Sequence, residues 1–269
     1  MEFDKRLAGG RRPGRSTCHD RDEGGVMVVS ATGAAVRGPG LWGIGSMVWV
    51  GALALLVLAG FWKTYFSRLA LAEALTHLHA GLMLAWMAML LVQPWLIRTQ
   101  RLALHRRVGR LSYGVMPGVL VTALWLSQVR MAAAPPEMFG LQAMLLYLGT
   151  AASLMLALFW GLAIRHRRDP ALHARYMVAT ALVMIDPAMA RLMLALLPEG
   201  VRFNPSWGGY ALTFAVLALL MWFERAAPRG RGVFRFVTLV FVVNFVLMHA
   251  VPGTQSWQAF ARGWGGLGG

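Results

Sequence analysis

From residue 41 onward the chain is built of long apolar runs separated by short polar loops: 41–62, 78–98, 109–130, 138–164, 172–197, 207–224 and 233–252. A backbone in hydrocarbon has no water to bond, so each spanning segment must pair its own amides and carbonyls. About 20 helical residues cover the roughly 30 Å of a bilayer core. All the runs but the sixth, which is short, meet that length. They are continuous rather than alternating, which selects helices over the period-two strands of a membrane barrel. The expected fold is an all-α integral membrane protein of seven transmembrane helices, with a four-helix core from spans two to five and the lipid bilayer as its first partner.

Composition closes off a soluble alternative. The chain is 58% hydrophobic with a mean hydropathy of +0.56, whereas soluble domains sit near about 45–50% apolar. The 26 Lys and Arg outnumber the 11 Asp and Glu. No soluble domain exists to present these cations as a nucleic-acid face, which excludes that class of partner. Their placement has a simpler cause. Counted through the N-terminal segment, the successive loops and the C-terminus, Lys plus Arg run 7, 2, 5, 1, 4, 2, 4, 1. This alternation follows the positive-inside rule. It predicts a cytoplasmic N-terminus and an outer C-terminus.

The flanks carry no expected chemistry. Residues 1–40, rich in Gly, Arg and Asp, are expected to be a disordered cytoplasmic tail; Met27 and Met47 are alternative starts. Cys18 is the one cysteine, so no disulfide or paired-cysteine metal framework can form within the chain. Cys18-His19 lacks the upstream cysteine of covalent haem attachment. No apolar core of a signal peptide is present. Residues 253–269 form a Gly-rich outer tail, expected at the interface or disordered.

An internal similarity organises the middle of the chain. LIRTQRLALHRRVGRL (96–111) and AIRHRRDPALHARYMV (163–178) each follow an even-numbered span, open with Ile-Arg, and carry a Leu-His before another basic residue. Spans two and three are expected to form a unit of which spans four and five are a parallel copy, the alternative being a chance likeness of two short basic turns. The duplication would place His105 and His173 at similar depth on the cytoplasmic side.

Histidines are the main chemical candidates. Imidazoles on neighbouring helices can hold a haem iron between them. His105 and His173 are the inner pair for haem b; His79 is the outer candidate, above a face of Met83, Trp86, Leu90 and Gln93. A metal site from His77, His79 and His249 is a weaker possibility, because residues i and i+2 do not share a helical face. The alternative for every one of them is an interfacial anchor. Asp186 lies mid-span, where a carboxylate costs roughly 2.5–3.5 kcal/mol, and Pro187 beside it removes a backbone donor. Asp186 and Arg191 therefore form a candidate proton or ion relay, or a polar lock at a kink. Five residues apart, they sit about 140° apart on a straight helix, so pairing needs the kink.

At His77, His79, Gln93, His105, Arg106, Gly109, His173, Arg175 and Met177 the chain resembles a widespread family of uncharacterised bacterial multipass membrane proteins, over roughly residues 45–250. That family implies no established activity. More distantly, it is similar to the diheme transmembrane b-type cytochromes, in which four consecutive helices carry two histidine pairs, one per membrane face. The likeness implies an inner haem on His105 and His173. It departs at the outer face, since residues 138–164 contain no histidine to meet His79. Three functions follow as expectations: b-type electron transfer with a quinone or another redox protein; a proton-coupled small-solute transporter working through Asp186 and Arg191; and a non-catalytic membrane assembly or scaffold protein.

Overall fold

A computed structural model describes residues 44–198 and 204–266; the N-terminal tail lies outside them. The described residues hold helices and no strand: α1 (Ile44–Trp62), α2 (Ala74–Arg98), α3 (Leu102–Ala132), α4 (Phe139–Arg165), α5 (Pro170–Leu182), α6 (Ile185–Leu196), α7 (Pro205–Phe223), α8 (Arg231–Ala250) and α9 (Gln255–Gly266), with short 3₁₀ turns at Phe66–Leu71 and Pro136–Met138. Six stretches among them are long and apolar enough to cross a membrane: α2, α3, α4 with its preceding turn, α5 and α6 together, α7, and α8. The chain is a multi-pass membrane protein by that measure. The first apolar run becomes α1, whose stretch Met47–Trp62 is shorter than these six.

The helix starts follow from local chemistry. Asp169 accepts from the amides of Ala171 (3.0 Å) and Leu172 (3.3 Å), with Pro170 opening α5. Asn204 likewise accepts from Ser206 (3.1 Å) with Pro205 opening α7. These are the N-cap and N1 preferences acting together. The fifth apolar run is broken at Val183–Met184, between α5 and α6. Pro187 has no amide to donate to the carbonyl of residue 183, and its ring crowds that carbonyl. The turn closes instead with Met184 donating to Ala181 at 3.1 Å. Pro94 and Pro117 lie inside α2 and α3 without breaking them.

Packing closes a ring. α2 lies on α3, α3 on α4, α4 on α5, and α5 returns to α2, so that α3 and α5 occupy opposite corners. α6 is held between α1 and α7, and α8 packs on α7, α5 and α4. The core runs through this bundle, with Trp86, Phe159, Phe234 and Phe241 fully buried. Leu55, Val121, Leu154 and Val246 are each about 60% exposed or more, on helices where lipid supplies the missing neighbours. A buried polar link ties three helices. Tyr147 of α4 donates to the Asn244 amide oxygen of α8 at 3.0 Å, and the Asn244 Nδ2 donates to the Tyr210 hydroxyl of α7. Replacing Asn244 with Leu strands two buried phenols, each losing a modest in-membrane bond. The expected loss is about 1–2 kcal/mol in unfolding by SDS titration of mixed micelles.

The C-terminal segment is ordered as α9 through Gly266. It rests on α3 and α4: Ala261 is fully buried, Trp257 Nε1 donates to the Ala143 carbonyl at 2.9 Å, and Arg262 lies over the Phe139 ring at 5.4 Å. The composition pointed to a Gly-rich tail here; the spaced aromatics, on one side of a helix, are what holds it down.

Candidate functional site

The two histidines of the internal repeat occupy equivalent places. His105 is the fourth residue of α3 and His173 the fourth of α5. Each amide makes the first regular helical bond, His105 to Arg101 at 3.0 Å and His173 to Asp169 at 2.9 Å. The first residue of α3, Leu102, precedes the apolar run, which takes His105 into the helix along with its arginines. α3 and α5 stand at opposite corners of the ring, and each carries its histidine in its first turn.

Their hydrogen bonds define which nitrogens are available. His173 Nδ1 lies 2.9 Å from the Ala163 carbonyl. A carbonyl only accepts, so Nδ1 carries the proton and, among the described residues, Nε2 is left with no bond. Such a second-nitrogen anchor orients metal-ligating histidines. The His105 Nδ1 is buried and has no hydrogen-bond partner among the described residues. Beside it, Gln93 Nε2 donates to the His105 carbonyl at 3.3 Å, while Gln93 Oε1 is buried without a partner there. Trp86, two turns back on the same α2 face, also has an unpartnered buried indole nitrogen. Buried polar atoms are nearly always satisfied, so the unpartnered atoms of Gln93 and His105, beside one another where α2 meets α3, are the candidate place for a bound group. Arg106, Arg107 and Arg110 follow His105 in the first turns of α3 and are exposed.

At the other end of the bundle His79 and His77 separate. His79 Nδ1 lies 3.0 Å from Thr122 Oγ1 of α3. The single Thr122 proton goes to the Gly118 carbonyl at 2.7 Å, so His79 Nδ1 donates. His77 is exposed and bonds the Tyr65 hydroxyl at 3.0 Å. His249 bonds the Phe245 carbonyl through Nδ1 at 2.8 Å and accepts from Trp207 Nε1 at 3.0 Å through Nε2, which uses both nitrogens. Among the described residues no group of three or more His, Cys, Asp or Glu is placed to hold a metal ion. His77, His79 and His249 are therefore not brought together: His77 bonds Tyr65 in the turn after α1, His79 bonds Thr122 of α3, and His249 bonds Phe245 and Trp207.

Asp186 and Arg191 do not pair with each other. The Arg191 guanidinium donates to the Pro187 carbonyl at 2.8 Å and lies over the Phe61 ring at 4.4 Å. Asp186 faces α7 against Gly209, with Oδ1 buried and unbonded among the described residues. The kink sits before Asp186 rather than between the two residues, so it does not bring their side chains together.

One ion pair was not expected. Arg175 Nε donates to Glu224 Oε2 at 2.7 Å, with both side chains almost wholly buried. The pair ties the second turn of α5 to the end of α7. The only signal for it in the sequence was a lone carboxylate at the end of an apolar run.

No family model, curated protein or solved structure matches this chain.

Proposed function

We propose that this is a bacterial inner-membrane protein, N-terminus inside, that holds one b-type haem between His105 and His173 and moves electrons at its inner face. The single observation that carries this is the His173 anchor: Nδ1 tied to the Ala163 carbonyl, Nε2 free, and a second imidazole with an unbonded buried nitrogen in the first turn of α3. The donor set fits haem b, whose iron takes neutral imidazoles. Bound, the haem supplies a one-electron redox couple. The residues of the chain do the rest. His105 and His173 would ligate, Ala163 fixes the orientation of one ring, and the arginines beside His105 match propionate charge. A quinone or another redox protein is the proposed electron partner. His79 has no histidine opposite it on α4, so one haem rather than two is proposed.

The test is a reduced-minus-oxidised absorption spectrum of haem-replete protein. A b-type spectrum is expected in the wild type and in His79→Ala, with near-complete loss in His105→Ala and His173→Ala. An undiminished spectrum in His173→Ala would sink the ligand assignment, and no b-type bands in the wild type would sink the function. A second possibility, proton-coupled movement of a small solute past Asp186, draws on its unbonded buried carboxylate oxygen. Unchanged flux in Asp186→Asn would count against it.

A further inference from the structure

Where α7 turns into α8 there is a small cavity of about 80 Å³, lined by Met221, Glu224, Arg225, Arg231, Phe234 and Arg235. Roughly 10–15 Å³ of such space admits one water, so this one has room for a group of phosphate size. The turn lies on the side that the positive-inside count makes cytoplasmic. Glu224, the one carboxylate on the cavity wall, is engaged by Arg175 at 2.7 Å. Arg225 lies over the Trp222 ring at 4.1 Å and donates to the Trp222 carbonyl at 3.0 Å, which holds its guanidinium in place. Arg231 and Arg235 are exposed, and among the described residues neither makes a hydrogen bond or an ion pair. Three guanidiniums thus line one cavity, and Arg229 adds a fourth cation in the turn itself.

The surface of α8 beyond the cavity narrows the choice of anion. Arg231, Arg235, Leu239 and Val242 follow one another at steps of four and three, so they share one helical face. Leu239 is 59% exposed and Val242 43%. A cationic end and an apolar strip therefore run along the same face of α8. From Arg231 to Val242 that face is about 16 Å long at 1.5 Å per residue, one leaflet's share of a hydrocarbon core of roughly 30 Å. A free anion makes no use of such a strip, whereas a phospholipid matches both parts. Like charges gathered around a cavity repel, and an anionic headgroup between them removes that cost. A zwitterionic headgroup would carry its own cation into the cluster.

We propose that the α7–α8 turn is a binding site for an anionic phospholipid, with its phosphate in the cavity between Arg225, Arg231 and Arg235 and one acyl chain along Leu239 and Val242. The guanidinium forks donate to the phosphate oxygens. The site needs neither a haem nor solute flux, so it stands or falls separately from both.

The test is native mass spectrometry of the full chain, delipidated in a neutral detergent and titrated with dioleoylphosphatidylglycerol. Dioleoylphosphatidylcholine has the same chains without the net charge, and inorganic phosphate has the charge without the chains. The first phosphatidylglycerol should bind at least about tenfold more tightly than the first phosphatidylcholine, and inorganic phosphate should not displace it. The double variant Arg231→Gln, Arg235→Gln, on two exposed side chains, should lose about tenfold in phosphatidylglycerol affinity and little for phosphatidylcholine. Arg167→Gln, Arg168→Gln makes the same charge change on exposed residues of the α4–α5 turn and should leave the affinity unchanged. Equal affinity for the two lipids, or no loss in the Arg231, Arg235 variant, would overturn the assignment. An equal loss in the Arg167, Arg168 variant would overturn it in favour of a general basic surface, and displacement by inorganic phosphate in favour of a site for free anions.

Discussion

Glu224→Ala is expected to destabilise the protein by about 3–5 kcal/mol, because removing one partner of a buried pair leaves the other charge without its compensation. Arg175 and Glu224 are only 4% and 5% exposed, and their N···O separation is 2.7 Å. The guanidinium is also held by the Ala171 carbonyl at 2.6 Å, so it cannot swing out to water without breaking its helix contact. Gly230 shows how closely the surroundings are fitted. It opens α8 at φ +82°, and a Cβ there would stand 2.8–2.9 Å from the Arg175 guanidinium atoms. Both the left-handed backbone and the passing side chain require glycine. Unfolding by SDS in mixed micelles measures the effect. The double variant Arg175→Met, Glu224→Leu should recover most of the loss, since an apolar pair of similar volume often matches a buried ion pair. A Glu224→Ala variant within about 1 kcal/mol of wild type would mean that water reaches the pair in the membrane.

This pair also marks where the sequence stops being informative. The apolar runs state their own helices, because lipid allows few alternatives. Pro187 announces the break between α5 and α6, and the Leu-His repeat locates His105 and His173 at equivalent helix positions. All of these are local signals. The Ala163 carbonyl that anchors His173, the Thr122 hydroxyl that anchors His79, and the Glu224 that meets Arg175 depend on which helices become neighbours. Hydropathy does not encode that, since every span presents much the same apolar face. Distance along the chain misleads in the same way: Asp186 and Arg191, close in sequence, do not pair, while Arg175 and Glu224, 49 apart, do. Among the described residues His77, His79 and His249 likewise form no group placed to hold a metal ion. The rotation of each helix about its axis, which decides where each ring points, is not written in the hydropathy.

Gly60→Ala should be the most damaging methyl-sized change in the bundle, and Gly51→Ala on the same helix should be harmless. A Cβ on Gly60 would run into the Ala188 carbonyl oxygen, with its carbon at 2.9 Å and Cα at 3.0 Å. All three are backbone atoms of α6 and cannot rotate away. Nothing lies within 4 Å of the corresponding position at Gly51, where alanine gains roughly 0.5–1 kcal/mol of helix propensity. Overpacking costs about 1–3 kcal/mol when side chains can adjust, and more when they cannot; about 3 kcal/mol or more is expected at Gly60 in SDS unfolding. α6 is gripped from its other side by Gly209 of α7. A Cβ there meets the Asp186 carboxylate, and the Asp186 Cα at 2.6 Å. Part of that clash is side chain and part is backbone, which separates two explanations of the site. If Gly209 serves only to make room for the Asp186 carboxylate, then Asp186→Ala should fully rescue Gly209→Ala. The backbone part of the clash predicts incomplete rescue, because α6 itself must move. Full rescue in the double variant would show that the close approach of α6 and α7 exists for the carboxylate alone.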